Sequence, residues 1–210
     1  MKRIIKRILI FPIYIFHKVY TFRTYKKIKR ICSFVYSKWL SYEFRECGKN
    51  VLFDKPIELI GGDYISIGND CYFNKNCILT AWYEYNDCKF NPNICVGNNC
   101  CFGEYNHITS VNSVCIGDNV LTGRWVTITD NSHGNSDYDN LRLPPLSRNL
   151  HSKGEVIIGN NVWIGDKVTI LPGVSIGDGV IIGANSVVTS DVPSFSICVG
   201  NPARVLKTYK

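Results

Sequence analysis

The sequence predicts an all-β solenoid that follows a basic, amphipathic helical arm at the N-terminus. Three observations support this prediction. The chain repeats a six-residue pattern over most of its length, and its excess positive charge lies in the first 42 residues. The repeat also stops twice, near residues 80–95 and 131–154, as expected where loops are inserted into a regular scaffold. We therefore divide the chain into an arm, residues 1–48, and a solenoid domain, residues 49–210.

The arm combines its positive charge with apolar helical faces. Residues 1–42 contain eleven Lys and Arg and no Asp or Glu, whereas residues 43–210 hold thirteen basic and seventeen acidic side chains. The net charge of +7 therefore comes from the arm, which argues against a globally basic nucleic-acid-binding protein. At helical spacing, one face carries Ile4, Ile8, Phe11 and Ile15, and another carries Lys2, Arg3, Lys6 and Arg7.

A second apolar stripe follows Pro12 and consists of Val19, Phe22, Ile28, Cys32, Val35 and Trp39. The apolar run of residues 8–16 is far shorter than the ~20 residues that cross a bilayer. Basic faces beside aromatic-rich apolar faces are typical of helices that lie in a membrane interface. Alternatively, the helices pack on their own domain with solvated charges, or they bind nucleic acid or another partner. We expect a cytoplasmic protein, peripheral on the inner face of the membrane if the first interpretation holds.

The repeat is clearest from residue 158 onward, where the chain reads IGNNVW IGDKVT ILPGVS IGDGVI IGANSV VTSDVP. Each hexad begins with Ile or Val, and a small residue, most often Val, stands four places later. A period of six does not fit an α-helix, but it fits a short strand plus a turn, with three such units in one coil. The first residue of each hexad is predicted to point into a continuous core and the fifth to fill a corner.

The ten cysteines follow the same period in part. Cys71, Cys77 and Cys100 occupy the small corner position, and the chain contains no CxxC motif. We interpret them as buried thiols in a reducing compartment. A metal cluster and structural disulfides are the alternatives.

These motifs resemble those of the hexapeptide-repeat acyltransferases, which fold as left-handed parallel β-helices. The hexads from residue 158, VGNPARVLK and VTITDNSHG carry the resemblance, which covers roughly residues 50–207. It is strongest to the branch of maltose, galactoside and surface-polysaccharide O-acetyltransferases. The resemblance implies the hand of the solenoid, a homotrimer with sites between subunits, and acetyl transfer from acetyl-CoA to a hydroxyl of a sugar or bacterial surface glycan.

The second interruption of the repeat carries the candidate catalytic residue. His133, in DNSHG, matches the catalytic histidine of the family, and a histidine is suited to take the proton of a sugar hydroxyl. No Cys or Ser nucleophile motif is present, so direct transfer is favoured. The resemblance assigns acceptor binding to Asn106, Glu104, His107 and Asp130, the last of which is also expected to orient His133. Each of these residues has the alternative of an ordinary turn residue.

The resemblance also implies a coenzyme A site in the last coils, formed by Trp163, Asp166, Ala184, Thr189, Ser190 and Lys207. In this role the Trp163 ring flanks the pantetheine arm, the Ala184 backbone bonds its amides, and Lys207 meets phosphate. Family members often carry a basic residue where this chain has Ser190. Trp163 alternatively packs on the neighbouring coil.

Other functions stay open at this point. N-acetylation of an amino sugar or a nucleotide sugar is the alternative within the enzymes, and a catalytically inactive β-helix would be a scaffold or binding module. A zinc carbonic anhydrase of this fold needs a closely spaced histidine pair, which His107, His133 and His151 do not provide, so no metal site is predicted. The aromatic segment AWYEYNDCKFNPN is suited to stack on a sugar, but it does not identify the acceptor.

Overall fold

The computed structural model describes the backbone of residues 2–209 and the side chains of residues 9–209. The arm forms two helices, α1 (Lys2–Val19) and α2 (Phe22–Leu40). Because α1 continues through Pro12, the arm divides at residues 20–21 and not at the proline. Thr21 caps α2, since its side-chain oxygen accepts a hydrogen bond from the Thr24 N–H at 3.1 Å. The predicted positions outside the described side chains are Lys2, Arg3, Ile4, Lys6, Arg7 and Ile8.

The solenoid consists of six coils with three short strands in each coil. The first two coils contain β1 (Glu46–Cys47), β2 (Leu52–Phe53), β3 (Glu58–Ile60), β4 (Ile65–Ile67), β5 (Tyr72–Phe73) and β6 (Ile78–Ala81). A hairpin of β7 (Glu84–Tyr85) and β8 (Cys88–Lys89) follows. The next two coils contain β9 (Ile94–Val96), β10 (Cys101–Phe102), β11 (His107–Ser110), β12 (Val114–Ile116), β13 (Leu121–Thr122) and β14 (Thr127–Thr129).

A second hairpin, β15 (Ser132–His133) with β16 (Leu150–His151), encloses a loop that contains α3 (Tyr138–Arg142). The last coils contain β17 (Val156–Ile158), β18 (Trp163–Ile164), β19 (Thr169–Ile170), β20 (Ser175–Ile176), β21 (Ile181–Ile182) and β22 (Val187–Val188). The antiparallel pair β23 (Ser196–Gly200) and β24 (Ala203–Thr208) extends the sheet that begins with β2. Equivalent strands of successive coils pair in parallel, and face 1, face 2 and face 3 denote the sheets that contain β1, β2 and β3.

The hexad pattern is confirmed by burial. The first residues of the six C-terminal hexads are all buried, and so are the corner residues four places later: Ile158, Ile164, Ile170, Ile176, Ile182, Val188; Val162, Val168, Val174, Val180, Ser186, Val192. In the N-terminal coils the same core position on face 2 holds Phe53, Phe73 and Phe102, whose stacked rings have centroids 5.0 and 4.5 Å apart. One continuous core therefore runs along the axis of the solenoid.

The Asn or Asp that follows the hexad glycine forms a ladder along the edge between faces 1 and 2. The Oδ1 atoms of Asn98, Asp118 and Asn160 accept hydrogen bonds of 2.6–2.9 Å from backbone N–H groups of the preceding coil. Glycine precedes them because the coils approach closely here: a Cβ on Gly117 would lie 2.7 Å from the Asn160 Oδ1. The recurring IGN and IGD motifs thus satisfy turn amides that the short strands leave unpaired.

The predicted corner cysteines are buried free thiols. The Sγ atoms of Cys71, Cys77 and Cys100 lie 3.1–3.2 Å from glycine carbonyl oxygens of the next coil. Burial raises the pKa of Cys77 to about 12, so this thiol is protonated and inert at neutral pH.

Helix α2 packs on the first coil, but not through its apolar stripe. Its buried side chains are Ser33, Ser37 and Leu40, whereas the stripe residues Ile28, Val35 and Trp39 are exposed. Helix α2 therefore packs on the domain with one side and exposes its apolar stripe on another. Among the described residues, no helix has the length and apolarity needed to cross a membrane.

Candidate active site

Two insertions border one pocket on face 3. The hairpin β7–β8 leaves the solenoid after β6, and the hairpin β15–β16 with its loop leaves after β14, in agreement with the interruptions seen in the sequence. The pocket between them has a volume of about 300 Å³. Its lining comes from face 3 and from both insertions: Glu58, Ile78, Thr80, Trp82, Tyr85, His107, Thr109, Asn131, His133 and Leu150.

Face 3 supplies the floor of the pocket through two rows of side chains. Strand register aligns Glu58, Ile78 and His107 across three successive coils, and it aligns Thr80 with Thr109 in the next row. Burial lowers the pKa of His107, although the Glu58 carboxylate partly opposes this shift. The imidazole is therefore mainly neutral at neutral pH, and its Nε2 lies 3.5 Å from the Thr80 hydroxyl.

His133 lies at the rim of this pocket, on β15. Its imidazole is exposed and meets the ring of Tyr85 edge-on, with centroids 5.4 Å apart. The Tyr85 hydroxyl donates a hydrogen bond to the Leu146 carbonyl at 3.3 Å, and the Asn86 amide reaches the same oxygen at 3.4 Å. The first insertion thus holds the second one in place, and Tyr85 contacts both the loop and the histidine.

Asp130 is not placed to orient His133 or to bind an acceptor. It is fully buried, and its carboxylate accepts hydrogen bonds from the Ser110 hydroxyl at 2.7 Å and from the backbone N–H groups of Val111 and Asn112 at 2.9 Å. This prediction is wrong because the carboxylate is used to fix the turn after β11.

Asn106 also has a structural position. It is the corner residue four places after Phe102 and is buried, with its amide donating to the Gly123 carbonyl at 2.7 Å. Its Oδ1 accepts from the Thr122 hydroxyl at 2.6 Å, so the prediction of acceptor contact is wrong. Glu104 lies outside the pocket lining and faces Lys75 at 3.6 Å. Of the residues predicted to bind the acceptor, only His107 lines the pocket.

The pocket also contains residues to which the sequence assigns no individual role. Trp82 and Tyr85 belong to the aromatic segment AWYEYNDCKFNPN, and their rings meet edge-on at 6.3 Å. Glu58, Thr80 and Thr109 carry no local motif. They can be recognised only from the strand register, which aligns Glu58 with His107 and Thr80 with Thr109 on face 3.

The predicted coenzyme residues lie in the last coils, away from the pocket lining. Trp163 is on face 2 and is exposed, in a row with Leu121 and Ile181. Lys207 is exposed on β24, and its Nζ lies 4.3 Å from the centroid of the Tyr209 ring.

Three further coenzyme positions are exposed: Ala184 in the turn after β21, and Thr189 and Ser190 after β22. Asp166 accepts a hydrogen bond from the Arg124 N–H at 2.8 Å, so its carboxylate links the turns of two successive coils. His133, at the rim of the pocket on face 3, and Trp163, on face 2, therefore lie on different sides of one chain.

Comparison with known proteins identifies the family. A crystal structure of a maltose O-acetyltransferase from Clostridium difficile 630 is 31% identical, with a TM-score of 0.55, over 88% of this chain and 84% of that protein. The model for "Bacterial transferase hexapeptide (six repeats)" matches residues 155–190. The chain belongs to the hexapeptide-repeat acyltransferase family. The prediction of a left-handed parallel β-helix is confirmed with it.

Two other known proteins are also similar to this chain. WbbJ of Escherichia coli K12, named for O-acetyl transfer in lipopolysaccharide biosynthesis, is 41% identical over 110 residues, which are 50% of this chain and 56% of WbbJ. The chain thus spans about half the length of this relative. A mutant of AntD, an N-acyltransferase from Bacillus cereus crystallised with dTDP and coenzyme A, is 25% identical with a TM-score of 0.66, over 82% of this chain and 88% of AntD.

Proposed function

We propose that this protein is an acetyl-CoA-dependent O-acetyltransferase that modifies a hydroxyl of a sugar or bacterial surface glycan. The observation that carries the proposal is His133 at the rim of a pocket that both insertions build on face 3. Similarity to a maltose O-acetyltransferase and to WbbJ supports acetyl transfer to oxygen.

His133 would act as general base in a direct transfer. Its imidazole accepts the proton of the acceptor hydroxyl while the hydroxyl oxygen attacks the thioester carbonyl, and it returns the proton as the thiolate leaves. No hydrogen bond from a described side chain holds the imidazole, so its position depends on β15 and on the edge of Tyr85. The pocket supports this role because His133 lines it together with His107 and the hydroxyls of Thr80 and Thr109.

The lining suits a sugar acceptor. The rings of Trp82 and Tyr85 offer apolar surface for the C–H face of a pyranose, and Thr80, Thr109 and Glu58 offer hydrogen-bonding groups in the same pocket. The neutral imidazole of His107 would bond an acceptor hydroxyl.

Coenzyme A would bind to the last coils, with Trp163, Asp166, Ala184, Thr189, Ser190 and Lys207 as its contacts. The exposed Trp163 ring and the Lys207 ammonium fit an extended, phosphate-bearing ligand. Because Trp163 lies on face 2 and the pocket on face 3, we propose a homotrimer in which His133 of one subunit serves the coenzyme site of its neighbour. Residues 1–42 would hold this cytoplasmic enzyme at the inner face of the membrane.

N-acyl transfer to an amino sugar or a nucleotide sugar is the second candidate. The similarity to AntD, crystallised with dTDP and coenzyme A, favours it. The two products differ chemically, since mild base removes O-acetyl esters and leaves N-acetyl amides.

The test combines His133→Ala with an analysis of the product. Host surface glycans from cells with and without the protein are compared by mass spectrometry before and after mild base. A base-labile acetyl group that depends on the protein supports O-transfer, and a base-stable one supports N-transfer.

His133→Ala should lower the transfer rate by ~10²–10⁴-fold without loss of folding. His151→Ala is the matched control, because His151 is an exposed histidine on the neighbouring strand β16 and does not line the pocket. If His133→Ala retained more than about a tenth of the activity, which is well above the range for loss of a general base, His133 would not be the base.

A further inference from the structure

Helix α2 is fixed to the solenoid by a polar row at helical spacing. The Ser33 hydroxyl donates to Asp54 at 2.8 Å, the Lys29 ammonium pairs with the same carboxylate at 3.1 Å, and the Ser37 hydroxyl accepts from the Phe53 N–H at 2.7 Å. Burial would raise the pKa of Asp54, but the hydrogen bonds from Ser33 and Lys29 outweigh it and hold the pKa below its usual range. The orientation of α2 on the first coil is therefore defined.

Two further rows of α2 then have defined directions. Arg30, Phe34 and Lys38 follow the anchoring row by one position and line a groove between α2 and the first coil. Ile31, Val35 and Trp39 follow by one more position and face outward, each 61–64% exposed. A row with two cations, Arg30 and Lys38, thus lies beside an apolar row on one helix.

The groove has the size and the charge of a ligand site. Its volume is about 910 Å³, within the range of small-molecule pockets. Arg30 and Lys38 line one side and Lys49 the other, over an apolar floor that includes Val51 and Leu52. No Asp or Glu lines the groove, and neither ion pair found among the described residues involves these three cations.

Three lining cations that form no ion pair with any described residue favour an anion as the ligand. The charge of the groove and its position beside an exposed apolar row match one class of ligand, a phosphate group attached to an apolar chain. The phosphate would bind Arg30, Lys38 and Lys49. The row of Ile31, Val35 and Trp39 would enter the acyl region of the bilayer. A second copy of the arm is a poor occupant, because residues 1–42 carry no acidic side chain and two arms would repel each other.

We propose that the groove between α2 and the first coil binds the headgroup phosphate of an anionic membrane lipid while the Ile31–Val35–Trp39 row inserts beside it. This inference deepens the proposed membrane contact of residues 1–42. It makes the anchored helix α2 the element that orients the solenoid, and with it the acceptor pocket, at the bilayer.

The test measures co-sedimentation of the full chain with phosphatidylcholine vesicles that contain or lack phosphatidylglycerol. The groove variant is R30Q/K38Q/K49Q, and the matched control is R23Q/K26Q/K27Q, which removes three exposed cations of α2 that do not line the groove. Each variant loses three cations, and each cation near an anionic bilayer contributes about 1 kcal/mol to binding. Since 1.4 kcal/mol corresponds to about tenfold in affinity, the loss of charge alone should weaken binding to anionic vesicles by ~10²-fold in both variants. We expect the groove variant to bind at least about tenfold more weakly than the control, because it also loses the charge-assisted bonds to phosphate.

Equal loss in the two variants would overturn the groove. Equal binding of wild-type protein to both kinds of vesicle would overturn the assignment to an anionic lipid, and binding to neither would overturn the membrane contact. Free phosphate is the other source of the anion, and a wild-type thermal shift with inorganic phosphate that disappears in the groove variant would overturn the lipid assignment.

Ile31→Ser/Val35→Ser/Trp39→Ser should abolish vesicle binding with an unchanged oligomer mass, whereas a changed mass would reassign the row to a subunit interface. Acetyl-CoA turnover in solution, which we expect to be equal in all variants, reports separately on the proposed activity.

Discussion

Asn106→Ala should destabilise the protein without acting on the acceptor. The substitution removes the donor to the Gly123 carbonyl and the acceptor of the Thr122 hydroxyl. The Gly103 carbonyl, which the amide also reaches at 3.0 Å, keeps the Cys77 thiol as a donor at 3.2 Å. Two buried groups are thus left without their partner, and each costs about 1–3 kcal/mol.

Taking about 3 kcal/mol for the pair, the thermal midpoint should fall by about 6–12 °C in a chain of this length. The assay is thermal unfolding followed by circular dichroism, on Asn106→Ala, Thr122→Val and the double variant. Because the two side chains share one hydrogen bond, the double variant should lose about 1 kcal/mol less than the sum of the single variants.

An unchanged midpoint in Asn106→Ala would refute this reasoning. Combined with a raised KM for the acceptor, it would restore the acceptor contact that the family resemblance implies. Additive losses in the double variant would show that the 2.6 Å bond between Thr122 and Asn106 does not couple the two residues.

Three further predictions concern the pocket and the assembly. Tyr85→Phe should lower the rate of acetyl transfer by about fivefold, because it keeps the ring contact with His133 but loses the ~1 kcal/mol hydrogen bond to the Leu146 carbonyl. An unchanged rate would show that this hydrogen bond does not contribute to catalysis. Because the pKa of His107 is lowered in the folded state from 6.5, the unfolding free energy should fall as the pH drops below about 6.5, and His107→Gln should flatten this dependence in pH-resolved melts. His133→Ala and Trp163→Ala should partly rescue each other when refolded together, whereas no rescue in mass-verified mixed trimers would exclude a site shared between subunits.

The register of the solenoid could be predicted because its cause is local. A lead aliphatic, a turn glycine and a corner residue recur at every sixth position, and each coil needs only its neighbour to bury them. The same rule places Asn106, four residues after the buried Phe102, in a corner. The family resemblance assigned it to the acceptor instead, and the repeat was the better guide.

The rest of the site depends on long-range placement that no local motif reports. Asp130 is the first residue of the DNSHG motif, yet its partners are a hydroxyl and backbone amides from a different coil, at Ser110 and Val111. The packed face of α2 was missed for a related reason. It is made of Ser33 and Ser37, which look like solvent-facing residues until Asp54 and the Phe53 N–H are found opposite them.

The position of the pocket follows from where the repeat is interrupted. Both insertions leave the solenoid at the same edge, after face 3 and before face 1: one follows β6 and the other follows β14. Strand β11 lies between these two strands on face 3, so insertions that fold back from this edge enclose its outward side chains. His107 on β11 is enclosed in this way, and His133 reaches the pocket from the second insertion. A β-helix places two insertions above each other when both follow the same face, and this geometry brings Tyr85 and His133 into one pocket without any change in the scaffold.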